Sequence, residues 1–200
     1  PARVTEHLAG RSRALRNDRY PSTNSMVSLH AAADAVRGSA FVLQNADVLY
    51  SPAIVTRLLR SPRDNACLVD PLRPHVDGEF HVELRQGRIV RYSRDVPPAR
   101  SVGESGQLVK IGARDSAAFL DRIDAVIAAG GEREFPNRAY DVLMSGDGLW
   151  PVYTAGLPWW EIDTPADYER CARERTRLRG PPAGRAALGV ARPLPPRPPR

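Results

Sequence analysis

The sequence predicts an α/β fold of three layers, with a mostly parallel sheet and a small β-hairpin excursion at residues 79–94. Three observations predict it. Short apolar runs of strand length, residues 41–50 and 65–69, are each bounded by turn chemistry or a capped helix start. Residues 115–129 carry Phe119, Leu120, Ile123, Val126 and Ile127 at helical spacing. Residues 79–94 alternate polar and apolar side chains, as a strand pair with one solvated face requires.

Residues 1–16 are short, polar and basic, and 7–15 fit a helix end leading into a strand. Residues 17–25 form a loop by their Asn, Asp, Pro and Ser content. A helix follows, with Met26, Leu29, Ala33 and Val36 at helical spacing and Gly38 as its stop. Residues 41–50 are too short for a typical helix and rich in Val, Leu and Phe, so they read as one buried central strand. Asp47 lies near its carboxyl end, where open α/β sheets place their ligands. Ser51 is the N-cap and Pro52 the first residue of a helix running through Arg60.

Residues 65–69 form a second short buried strand, ending at Asp70-Pro71. In the hairpin, Gln86-Gly87 separates the two alternating segments. Residues 96–103 are a Pro-containing loop and 107–111 a strand. The 115–129 helix ends at Gly130-Gly131, and a shorter helix covers 138–144. Residues 150–154 are a strand. Residues 157–162 then lead to a helix in which Thr164 caps, Pro165 takes the first place and Asp167 faces the positive helix end. That helix runs to about residue 178. Residues 1–178 thus form one domain. The Pro/Arg-rich residues 179–200 hold too few large apolar side chains to order themselves and form a disordered tail.

The chain has 200 residues, 42% hydrophobic and 26% charged, the balance of a soluble globular protein. Nothing approaches the roughly 18 uninterrupted apolar residues of a membrane span, and no secretory h-region opens the chain. Cys67 and Cys171 lack metal-ligand spacing and read as reduced thiols of a cytoplasmic protein. The net charge of +6 suggests a nucleic-acid partner, but residues 173–200 alone carry +7, so the folded part is nearly neutral. With no basic patch interleaved with aromatics, no nucleic-acid partner is expected.

Two carboxylates stand out by context: Asp47 ends a strand, and Asp163 immediately precedes a capped helix. Two aspartates converging at neighbouring strand ends suit Mg²⁺, which takes one or two carboxylates and fills its other sites with phosphate oxygens and water. From spacing alone a plainer reading stands beside this one: Asp163 supports the helix start and Asp47 closes a turn.

Five segments resemble the nucleotidyltransferase superfamily, in order and spacing, over residues 11–172. Asn45-Ala46-Asp47-Val48-Leu49-Tyr50 is similar to its "NGDVLF" strand end. Trp160-Glu161-Ile162-Asp163-Thr164-Pro165-Ala166-Asp167-Tyr168 is similar to its "W-x-EIDTPEDL" segment. The run from Asn17 through Tyr20, Thr23, Asn24 and Ser25 to Leu29 resembles the loop and helix of the phosphocholine cytidylyltransferase-like branch. Gly87-Arg88-Ile89-Val90 followed by Arg94 resembles a hairpin ending in a phosphate-contacting lysine. Gly103-Glu104-Ser105-Gly106 resembles a substrate-side turn.

The resemblance implies a three-layer Rossmann-like fold and a reaction. A phosphate on a small molecule attacks the α-phosphorus of a nucleoside triphosphate, CTP by the branch it resembles, and pyrophosphate leaves. It implies Asp47 and Asp163 as Mg²⁺ ligands, Arg94 as the group that neutralises phosphate charge, and Asn24, Glu104 and Gly106 as substrate contacts. For Asn24 the residues also allow a helix N-cap. The family's glycine-rich triphosphate loop, with its Arg and Lys, has no counterpart in these residues, and the only lysine, Lys110, falls elsewhere. The resemblance therefore expects a domain incomplete at its N-terminus. Where the choline branch carries an aromatic-acidic segment, this chain reads Asn137-Arg138-Ala139-Tyr140-Asp141. That keeps inositol 1-phosphate and sugar 1-phosphates beside phosphocholine as acceptors. A glycosyltransferase with a related sheet and a catalytically incompetent nucleotide-binding module are the alternatives.

Overall fold

The computed structural model describes residues 12–174. Of the segment expected to end a helix, residues 12–15 carry no regular structure and the rest lies outside the described residues, as do the last turn of the final helix and the tail. In chain order the elements are α1 (Ser25–His30), α2 (Ala33–Val36), β1 (Phe41–Gln44), β2 (Val48–Tyr50), α3 (Pro52–Leu59), β3 (Ala66–Asp70), β4 (His81–Arg85), β5 (Arg88–Ser93) and β6 (Gly103–Ile111). There follow α4 (Ala113–Ala128), a 3-10 turn (Pro136–Ala139), α5 (Tyr140–Ser145), β7 (Trp150–Tyr153), β8 (Trp159–Glu161) and α6 (Pro165–Glu174).

The predicted α/β class holds. A six-stranded sheet has the order β5-β4-β6-β3-β7, with β1 also on β6, and β2 and β8 form a separate pair. In direction, β1, β3, β4 and β7 run one way and β5 and β6 the other. The sheet is thus mostly parallel in strand direction, yet β3–β7 is its one parallel ladder among the described residues. The reason lies in β6. It enters from the hairpin through a loop, with no crossover helix, and runs back antiparallel between β3 and the edge shared by β1 and β4.

Two apolar layers sandwich the sheet. Strand alternation sends Cys67 and Val69 of β3 and Val109 and Ile111 of β6 to one face, where they meet Met26 of α1, Phe119, Leu120 and Ile123 of α4, and Leu143 of α5. Ala66, Leu68 and Leu108 point to the other face, against Ile54 and Leu58 of α3 and Val48 and Trp159 of the small strand pair. All five residues of β3 are buried, as a strand covered on both faces requires. Each fully buried Leu, Ile or Phe contributes roughly 1.5–3 kcal/mol. Asn65 ties the layers at one end: its side chain accepts from the Gly112 amide at 2.9 Å and donates to Asp115 at 2.5 Å.

Several boundaries differ from expectation. The predicted 26–36 helix is two short helices separated by Ala31-Ala32. The 41–50 run is not one strand: it splits at Asn45-Ala46-Asp47, and its halves join different sheets. The Gln44 side chain donates to the Val48 carbonyl at 3.1 Å and closes the turn between them. The predicted 107–111 strand begins four residues earlier, so residues 103–106 are the first half of β6 and not a turn. Gly103 permits this, because a Cβ there would lie 2.5 Å from the Asp70 carbonyl oxygen of the adjacent strand. Ser51 does precede α3, but its hydroxyl caps nothing and is buried without a partner. Among the described residues no helix is long and apolar enough to cross a membrane.

Candidate functional site

The β2–β8 pair builds the site. Its antiparallel register sets Val48 opposite Glu161 and Tyr50 opposite Trp159. One residue beyond, the Asp47 carbonyl accepts from the Ile162 amide at 2.9 Å. The ladder therefore carries Asp47 and Asp163, far apart in sequence, to one place. One oxygen from each of Asp47, Glu161 and Asp163 lies within 4.8 Å of the others. A second acidic group, Glu79, Glu104 and Glu161, meets the same limit and shares Glu161 with the first.

The three carboxylates of the first group line a cavity of about 270 Å³. Its walls include Asn45, Gln107, Asn137 and Arg94, with Phe80, Tyr92, Phe135 and Tyr140 as apolar surface. Burial pushes the Glu161 carboxyl up from its ordinary value, the Gln107 amide draws it back down, and Glu79, Asp163 and Asp47 raise it further. Burial likewise pushes up the Tyr92 and Tyr140 phenols, which pack edge to face with centroids 5.0 Å apart. Arg94 lies across two rings, 4.7 Å from the Phe80 centroid and 5.3 Å from that of Phe135. Among the described residues it makes no ion pair, and it lines the cavity.

The structure thus gathers Asp47, Asp163 and Arg94 around one cavity. It puts the other three expected residues to structural use. Asn24 caps α1, accepting from the Ser25 amide at 2.7 Å and donating to the Arg133 carbonyl at 3.3 Å. Gly106 is packed under Leu68, 2.5 Å from where its Cβ would be, and its carbonyl accepts from the Tyr50 hydroxyl at 2.6 Å. Glu104 is buried and paired with Arg73 at 2.9 Å; burial raises its carboxyl and Arg73 opposes that rise. It reaches the acidic group through Glu79 and Glu161 but does not line the cavity. Of the tryptophans, Trp159 and Trp150 stack on arginines: Arg73 lies 3.5 Å from Trp159, and Arg63 lies 3.7 Å from Trp150. Lys110 donates to the Ser61 carbonyl at 2.8 Å, away from the cavity.

Sequence reading missed Glu161, Glu79 and Gln107. A signal for Glu161 was present: it stands two residues before Asp163 at the end of a strand, and residues two apart share a strand face. Glu79 and Gln107 join the cavity only through the pairing of β4 and β6, which no local pattern encodes.

No family model matches the chain. It is 34% identical, over 160 residues, to the "Bifunctional IPC transferase and DIPP synthase" of Rubrobacter xylanophilus. That alignment covers 78% of this chain and 34% of the relative, so the chain spans about a third of the relative's length. Among solved structures it resembles the inositol-1-phosphate CTP transferase of T. maritima. The TM-score is 0.65 at 13% identity, over 90% of this chain and 71% of that one. It also resembles the CTP:phosphocholine cytidylyltransferase of Streptococcus pneumoniae. Here the TM-score is 0.61 at 14% identity, over 86% of this chain and 72% of that one. At these identities the two structures speak for the fold.

Proposed function

We propose, from the premise that the chain belongs to the nucleotidyltransferase superfamily, that it transfers a nucleoside monophosphate to a phosphorylated small molecule. The nucleotide is CTP, and the acceptor is inositol 1-phosphate, phosphocholine or a sugar 1-phosphate. An acceptor phosphate oxygen bonds to the α-phosphorus, the bond from that phosphorus to the bridging oxygen breaks, and pyrophosphate leaves with the electron pair. The single observation that carries this reading is the convergence of Asp47, Glu161 and Asp163 within 4.8 Å at a cavity that Arg94 also lines.

The donor set fits Mg²⁺, because all three groups offer hard carboxylate oxygens and two of them are exposed to incoming water and phosphate. Asp47 and Asp163 would hold the ion, with Glu161 beside them; bound there, Mg²⁺ neutralises charge on the triphosphate. Arg94 supplies a second positive charge, held in place by Phe80 and Phe135. Phe80, Tyr92, Phe135 and Tyr140 give the cavity an apolar wall against which the acceptor would pack. The setting in which this chemistry takes place is the cytoplasm.

The test is pyrophosphate release by the intact gene product that contains this chain, with each common nucleoside triphosphate paired with each of the three acceptor classes and Mg²⁺ present. Release with CTP and one acceptor is the expected result. No release from any pair overturns the enzyme reading, and nucleotide binding without release makes the chain a binding module.

A further inference from the structure

We infer that Gln107 is a positioning residue that sets the spacing between the two chain segments bearing Asp47 and Asp163; the inference rests on the metal reading of those two aspartates. Gln107 has a φ of 54°, in the left-handed region. The other non-glycine residues there, Gln86 and Ala155, sit in turns beside Gly87 and Gly156, where the chain reverses. Gln107 sits in the middle of a nine-residue strand, where no reversal calls for it. A non-glycine residue held in that conformation costs stability and persists only where its surroundings impose it.

The ladder shows what imposes it. Val69 pairs with Ser105 and Cys67 with Val109, so β6 carries extra residues opposite β3, and Gln107 lies within that bulge. A bulge re-aims a side chain. Here the Gln107 amide bridges the site. Its Nε2 donates to Glu161 Oε1 at 2.6 Å, and its Oε1 accepts from Asn45 Nδ2. The Gln107 carbonyl also accepts from the Asn45 amide at 3.5 Å, and its own amide donates to Ser105 Oγ at 3.1 Å. Asn45 stands two residues before Asp47, and Glu161 two before Asp163. One amide therefore clasps both segments at the same offset from their aspartates. The pairing demands an amide: a carboxylate at this position could not donate to Glu161, and an apolar side chain could bind neither partner.

The test titrates Mn²⁺ into the full chain, following free Mn²⁺ by electron paramagnetic resonance, alongside thermal melting. Gln107→Gly keeps the bulge, since glycine adopts this φ freely, and removes only the clasp. We expect its Mn²⁺ affinity to fall at least fivefold while its melting midpoint stays level or rises. Gln107→Asn, which also tolerates this backbone but is one methylene short, weakens Mn²⁺ binding in the same way and serves if the glycine variant does not fold. A merely structural residue would lower the midpoint and leave Mn²⁺ binding alone, so a fall in affinity of less than fivefold overturns the inference. A parent chain that takes up no Mn²⁺ overturns the metal reading and this inference with it, which separates the two failures.

Discussion

The carbonyl of Asp47 and the amide of Ile162 share a backbone hydrogen bond of 2.9 Å, although 114 residues separate them in the chain. This bond extends the β2–β8 ladder by one step and brings the backbones of the two segments side by side. Neither carboxylate enters an ion pair among the described residues, so their closeness adds repulsion and no stability. The metal reading proposed above accounts for such a pairing.

Asp47→Asn and Asp163→Asn each leave the fold intact and remove one charge from that cluster. Pyrophosphate release falls by at least about 100-fold for either, or about 2.7 kcal/mol of barrier. Melting midpoints hold or rise slightly, because the substitutions relieve like-charge repulsion. Steady-state kinetics and melting curves on the same preparations check both halves.

Among the described residues, Arg94 is held by ring faces and by no carboxylate. Arg94→Ala therefore costs little stability but raises the KM for the nucleoside triphosphate about tenfold, equal to about 1.4 kcal/mol of lost binding. Arg94→Lys recovers part of the loss, since it keeps the charge but not the planar fork. A recovery to full parental KM would show that the fork and its stacking are dispensable.

Gly106 serves packing. A Cβ there would fall 2.5 Å from Leu68 Cδ2, and Leu68 is fully buried with nowhere to move. Gly106→Ala destabilises the chain by about 1–3 kcal/mol, read by urea unfolding. The fraction that stays folded retains parental KM for both substrates, which a substrate contact at Gly106 would not allow.

The start of α6 gives a pH dependence. Asp167 accepts from the Thr164 hydroxyl at 2.7 Å and its amide at 2.9 Å, and donates its own amide to that hydroxyl at 3.2 Å. The Thr164 hydroxyl, then the Thr164 amide and Arg170, draw its carboxyl below the usual aspartate value. A depressed carboxyl adds stability that is full above the unfolded value, about 3.9, and is lost as pH falls through the folded one. Asp167→Asn is accordingly less stable than the parent at neutral pH, and the two melting midpoints converge in acid. A gap that persists undiminished at pH 2 would assign the effect to packing.

Local rules decided much of this fold before any contact was known. The spacing of Phe119, Leu120 and Ile123 specified α4, and Thr164, Pro165 and Asp167 specified the start of α6, because each signal lies within one helical turn or cap. The continuous apolar run at β3 announced a strand covered on both faces. Where the reading failed, a distant partner intervened. Residues 41–50 read as one strand, but β6 captures the first half and β8 the second, and the chain turns between them at Asn45-Ala46-Asp47. Gly103-Glu104-Ser105-Gly106 resembles a family turn, but β3 and β4 hold it as strand.

The same division runs through the site. The sequence by itself pointed to the two aspartates, by their places at a strand end and before a capped helix, and to Arg94 only through the resemblance of its hairpin; the structure brings all three to one cavity. Only the tertiary structure decided that Glu161 joins them, that Asn24 caps a helix and Gly106 packs under Leu68, and that Gln107 in its bulge reaches Glu161. The physical reason is range. Caps, turns and hydrophobic periods act over a few residues, whereas ladder register and bulges depend on which strands lie side by side, and that is settled only when the whole sheet forms.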